Sequence, residues 1–304
     1  MNPLTALPAI RWLVRDTFRQ SRSAGVFWLM LAVSLACVVL CLTATVAADG
    51  PDEAGHLNLA FGAVQVPLDR GCPAAVRTLE VYLAGWIADG AGLLLALMWT
   101  AGFLPSFLEA CTVSVLLSKP IPRWSLLLGK CLGVLAFVAV QDGVFVGGTW
   151  LALGLRTGIW DTNYLLCLPL LLLHFAVFFS FSAMLAVATR STVACVFGSV
   201  LFWSLCWAMN FGRHSFLLLP ELQTAAAGLG HTVEFGYWLL PKPLDCHLIL
   251  LNTLQDDHTL SRVIDTHALA ERGGWQPVAS VLASCVCALV LLALAAYDFA
   301  TAEY

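Results

Sequence analysis

The residues of this chain that are equipped for chemistry are few, and several stand where water is scarce. Gln141 and Asp142 interrupt an apolar run, and His174 is the only titratable group in the next one. A carboxylate held in hydrocarbon is costly unless it is protonated, paired or hydrated. Asp142 therefore has three uses open to it. It can line a translocation route together with Gln141, hydrogen-bond a neighbouring helix, or snorkel if it lies nearer a surface. His174 is a candidate partner for it. A second polar group falls between apolar runs: Glu109, Thr112, Ser118, Lys119, Pro120 and Arg123. Two prolines, Pro120 and Pro122, stop any helix there, so a short helical stretch ends abruptly before a new one starts near Leu126. By themselves these residues fit either a rigid lever that a partner can push or a solvated hairpin.

Other chemistries lack their signatures. There is no G-x-x-x-x-G-K-[ST] phosphate cradle: Gly129-Lys130 is followed by Cys131, and Trp124 stands where the first glycine belongs. Neither HExxH nor G-x-S-x-G occurs, so hydrolase readings have no nucleophile or metal base. The eleven cysteines include no CxxC pair, and most lie inside apolar runs, where a thiol packs as a small hydrophobe. Only Cys72 and Cys246 fall in long polar loops, where pairing is open to them. Six of the seven histidines also fall in those loops, but no metal-ligand spacing repeats, so neither a metal nor another cofactor is expected.

The elements that must position these residues follow from composition. The 304 residues are 60% hydrophobic and 11% charged, with a mean hydropathy of +0.85. A soluble fold cannot hide that much apolar surface, which excludes a cytosolic enzyme and a nucleic-acid binder. Six apolar runs of bilayer-spanning length are marked off by their flanking charges: 26–48, 90–108, 131–153, 164–188, 191–211 and 277–297. Each is expected to be helical, because lipid offers backbone groups no other partner. The first is too long for a signal-peptide core and is expected to stay as an anchor.

Basic residues near the runs set the orientation. Arg11, Arg15, Arg19, Arg22, Lys119, Arg123, Lys130 and Arg190 collect on one side, against Arg70, Arg77 and Arg156 in the shorter loops of the other. Both termini are expected in the cytoplasm of a multi-pass cell-membrane protein. Residues 1–25 predict a basic helix lying on the membrane, with an arginine face beside Leu7, Ile10, Val14 and Phe18. Glycine steps at Gly129/Gly133 and Gly143/Gly147 predict close helix packing, within one subunit rather than across a dimer seam. In the outer loop 212–276, two short amphipathic helices are expected. One carries Leu244, Leu248, Leu251 and Leu254, and the other is capped by Asp256 or Asp257. They are expected to lie on the outer leaflet or to cap the spans.

The run Glu109, Thr112, Leu116-Leu117-Ser118-Lys119-Pro120-Ile121, Arg123 and Gly129-Lys130 resembles the segment between spans two and three of ABC-2 type permeases. Those are the membrane subunits of ATP-binding-cassette exporters. The basic N-terminal helix, the six spans and the long loop before the last span extend the resemblance over nearly the whole chain. Cys111 replaces the glycine usual before the threonine. The resemblance implies an all-α fold and a translocation pathway shared with a second permease subunit. It also implies that the segment 109–130 docks a separate ATPase, with Glu109, Thr112, Ser118, Lys119, Pro120 and Arg123 as contacts. It is silent on substrate. The alternative reading is a membrane scaffold or assembly factor with no transport cycle; a membrane-embedded enzyme is weaker still.

Overall fold

Backbone groups in an apolar run can be satisfied only within the run, and each of the six runs closes into helix. The computed structural model describes residues 6–23, 25–47, 55–62, 64–68, 72–109, 122–219, 221, 228, 230–254, 266–271 and 274–301. Among these, five helical stretches are long and apolar enough to cross a membrane: Pro73–Phe107, Arg123–Thr157, Thr162–Thr189, Thr192–Leu218 and Pro277–Thr301. A sixth candidate crossing is the bent pair α1 (Ala6–Ser23) and α2 (Val26–Leu42), which meet at 75°. The corner is made at Gly25, whose φ of 74° is open to glycine because it has no Cβ.

After α2 the chain forms a small antiparallel sheet, β1 (Thr45–Ala47), β2 (Gly55–Leu59) and β3 (Val64–Leu68), in that order. Val46 pairs with Leu57, and Leu57 with Val66. It hangs off an otherwise helical body. The second crossing is built from α3 (Cys72–Val81), a π-helical segment Tyr82–Gly92, α4 (Leu93–Thr100) and α5 (Phe103–Phe107). Flanking charges in the sequence put this span at 90–108, with Asp89 as its boundary. The helix instead begins well before Asp89 and buries it, because two histidines meet its carboxylate inside the bundle.

The third crossing, α6 (Arg123–Thr157), has 35 residues and is about 52 Å long, well beyond a hydrocarbon core of about 30 Å. Its first turns have room to stand clear of the membrane, and α1 packs along them. Gly129 and Gly133 make this possible: a Cβ on Gly133 would lie 2.5 Å from Thr17 Oγ1, and one on Gly129 would lie 2.7 Å from Leu13 Cδ1. The buried stripe of α1 is Leu13, Thr17 and Ser21, while Arg11, Arg15, Arg19 and Arg22 stay exposed. Thus α1 spends its apolar stripe on protein and keeps its arginines free. Farther along α6, Gly148 receives Val38 of α2.

The remaining helices are α7 (Cys167–Thr189), α8 (Thr192–Leu218), α9 (Gly230–Leu239), α10 (Pro243–Thr253), α11 (Thr266–Glu271) and α12 (Pro277–Thr301). The core has two parts. One gathers Phe103, Phe107, Phe137, Phe175 and Phe178 together with Leu13 of α1 and Phe299 near the end of Pro277–Thr301. The other gathers Tyr164, Phe145, Leu244, Leu248 and Leu251. The leucine stripe of α10 is fully buried, against α7, α8, α12 and the π-helical segment. It sits inside the bundle rather than on the leaflet. Of the helix expected from Asp256 or Asp257, Thr266–Glu271 is helical and 255–265 falls outside the described residues.

Candidate functional site

Between α2, the π-helical segment with α4, α6 and α7 lies a cavity of about 170 Å³. Its walls are apolar and partly aromatic, with Trp99, Phe145 and Phe175 among them, and its polar lining is Ser34, Gln141 and Asp142. Gln141 and Asp142 are thus brought together on one wall. Gln141 is 3% exposed and donates through Nε2 to the Phe27 carbonyl at 3.2 Å, which leaves its Oε1 buried with no partner. Asp142 makes no hydrogen bond or ion pair among the described residues.

His174 is not on that wall. Its Nδ1 meets Asp89 Oδ1, and the other carboxylate oxygen takes His247 Nδ1 at 2.9 Å. All three helical elements contribute: the π-helical segment, α7 and α10. The wider π turn lets Ala88, Ala91 and Gly92 line the cavity while Asp89, between them in sequence, reaches the histidines. Gly85 lets α10 come close, since a Cβ there would already lie 3.1 Å from both His247 Cε1 and Leu251 Cδ2. His174 Nε2 is buried without a partner. The pairing that sequence order suggested, His174 with Asp142, is therefore not formed. Asp89 was missed because a charge at the edge of an apolar run reads as the end of a span. The signal that pointed to it was the pair of histidines in otherwise apolar surroundings.

In the part of the bundle away from α1, Asp245 gathers four side-chain partners, and His214 Nδ1 stays buried without a partner. His214 Nε2 reaches Oδ1 at 2.6 Å and Asn210 Nδ2 donates to the same oxygen at 3.2 Å. Tyr237 and Ser280 hydroxyls each donate to Oδ2 at 2.5 Å, and Asp245 N donates to Asn210 Oδ1 at 3.0 Å. Burial pushes the Asp245 carboxyl up, but His214, Ser280 and Tyr237 outweigh it and hold the pKa below the usual carboxylate range. Around this hub, Arg213 forks onto Glu234 at 2.8 and 3.3 Å and stacks 4.0 Å over the Tyr237 ring. The hydrogen bond from Arg213 lowers the Glu234 pKa. Burial lowers that of Lys242, whose Nζ lies 4.7 Å from the same ring. These contacts tie α8, α9, α10 and α12 together, and nothing in the sequence spacing announced them.

Where α1 packs on the start of α6, the buried Lys130 bonds Asp16 Oδ2 at 3.2 Å and Gln20 Oε1 at 2.8 Å, and Gln20 donates to Ser106 Oγ at 2.7 Å. Arg123 opens α6 and donates to the Ala300 carbonyl at 3.1 Å. Glu109 is exposed just past the end of the second crossing. Thr112, Ser118, Lys119 and Pro120 lie outside the described residues. Cys246 is a free thiol, the Cys72 side chain lies outside the described part, and no metal-ligand group occurs among the described residues.

The chain is thus a polytopic helical bundle with unpartnered polar groups at a cavity between its helices and no nucleotide cradle in its sequence. The family profile of ABC-2 family transporter proteins matches residues 11–304, and the chain belongs to that family. It is an all-α, multi-pass membrane protein of permease type. No curated protein matches it.

Proposed function

We propose that the chain is the permease subunit of an exporter, working as a pair of membrane subunits driven by separate ATPase chains, with both termini in the cytoplasm. The observation that carries this reading is the anchoring at both ends of the segment between the second and third crossings. Before it, α5 holds Ser106 against Gln20, and Phe107 lies 5.8 Å from Lys130 Nζ. After it, Arg123 bonds the end of α12. A push on residues 109–123 is therefore delivered at once to α1, α6 and α12, which suits an element that converts nucleotide-driven closure into movement of the crossings. Glu109, Thr112, Ser118, Lys119, Pro120 and Arg123 are the contacts in this reading. The basic asymmetry of the loops supports the orientation.

Arg123→Glu tests it. The variant is expected to insert normally, as judged by reporters at the N-terminus and near Asp52, yet to lose either copurification of an ATPase or transport-stimulated hydrolysis. Normal assembly and normal transport in a double Arg123→Glu, Pro120→Ala protein would overturn the coupling role. Purified permease alone is expected to hydrolyse no ATP, and turnover by a preparation free of a second chain would refute that.

A further inference from the structure

The cavity between α2, α4, α6 and α7 has an uneven set of polar groups. Its Asp142 carboxyl and the Gln141 Oε1 are both acceptors without a partner among the described residues. Gln141 has already used its amide to hold the Phe27 carbonyl, so the oxygen is fixed as the free end. No lysine, arginine or histidine is among the residues lining the cavity, so the negative charge of Asp142 is not met from the protein side. The other walls are apolar, with an aromatic contribution from Trp99, Phe145 and Phe175. An unpaired carboxylate in apolar surroundings is costly, and a ligand that brings a positive charge removes that cost.

We infer that this cavity binds a protonated lipophilic amine, with its ammonium on Asp142 and Gln141 and its hydrocarbon body against the aromatic wall. The ammonium donates to both acceptors, and the ring faces add cation–π attraction. The volume sets the size: a cavity of about 150 Å³ holds one benzene ring, so about 170 Å³ suits a single ring or short chain bearing the amine. Anions are disfavoured by Asp142, and a neutral alcohol brings one hydrogen-bond donor but no charge. Asp89 does not compete for the ligand, because both of its oxygens are taken by His174 and His247.

The assignment deepens the permease reading by naming a class of cargo, and it rests on that reading only for the word cargo. Binding is therefore measured on the full-length permease alone in lipid nanodiscs, without any ATPase, by equilibrium dialysis of radiolabelled 2-phenylethylamine against empty nanodiscs. Saturable binding is expected, about ten-fold or more tighter than for the neutral 2-phenylethanol, as a charge-assisted hydrogen bond implies, with 3-phenylpropanoate not competing. Asp142→Asn should erase the preference of amine over alcohol, while Ala91→Phe, which fills the cavity from its wall, should abolish binding of both. Monodisperse elution is checked for each variant, and the isostere comparison on the unaltered protein stands even if one fails to fold. Equal binding of amine and alcohol, no saturable binding, or a preference that survives Asp142→Asn would overturn the inference. None of these results bears on whether an ATPase docks.

Discussion

Asp245 and Asp142 are both carboxylates sunk in a helix bundle, and they are treated in opposite ways. Asp245 is met by His214, Asn210, Tyr237 and Ser280, so its charge is spread over groups from three other helices. Asp142 faces a cavity with no partner among the described residues. The first arrangement spends the charge on holding the fold; the second holds it in reserve. Asp89 falls between them by partner count: two histidines take its oxygens, and His174 Nε2, like His214 Nδ1 beside Asp245, is buried without a partner. The number of partners, more than burial, separates these carboxylates.

That contrast orders the effects of removing each group. Asp245→Ala is expected to cost about 3–5 kcal/mol, because it strands the groups that a buried charge had satisfied. The check is a large fall in apparent melting temperature in detergent, and a stable Asp245→Ala protein would end the distinction. Asp89→Ala is expected to be milder, at about 1–3 kcal/mol, since it leaves the imidazoles of His174 and His247 to find other partners. Chemical unfolding of the purified protein would rank it between the other two. Acid should weaken the Asp245 side more gradually. Its folded pKa is depressed, so its contribution is complete above the ordinary carboxylate value of about 4 and is lost as pH falls through the folded value. In Asp245→Asn that component of acid sensitivity should vanish, as a thermal melt repeated between about pH 6 and about pH 3 would reveal. The smallest effect belongs to Asp142→Asn, expected within about 0.5 kcal/mol of the unaltered protein, because no internal contact is lost. A substantial loss of stability there would mean that Asp142 has a structural partner after all.

The fold was largely legible in advance. Charge-free apolar runs of spanning length can be nothing but helix in lipid, and Gly129 and Gly133 advertised a close approach that α1 makes. What a run of residues could not reveal was which helix would supply the partner. The glycine step read as packing between spans, whereas the element that docks there is the N-terminal helix. Similarly, the leucines of α10 read as an apolar face for either the outer leaflet or the ends of the spans, because periodicity reports that a face is apolar and not what covers it.

The sequence by itself determined the class: composition and run length dictate a helical membrane protein, it holds no phosphate cradle, and the segment 109–130 resembles the family's pattern. It also singled out Gln141, Asp142 and His174 as polar groups in apolar surroundings. Only the tertiary structure decided which of them is free. His174 is taken by Asp89 and Gln141 by the Phe27 carbonyl, while Asp142 has no partner among the described residues and faces an open cavity. The physical reason is that desolvation depends on local apolarity, which a single run of sequence displays. Compensation depends on groups 85 or more residues away, which come within hydrogen-bonding distance only once the helices have packed.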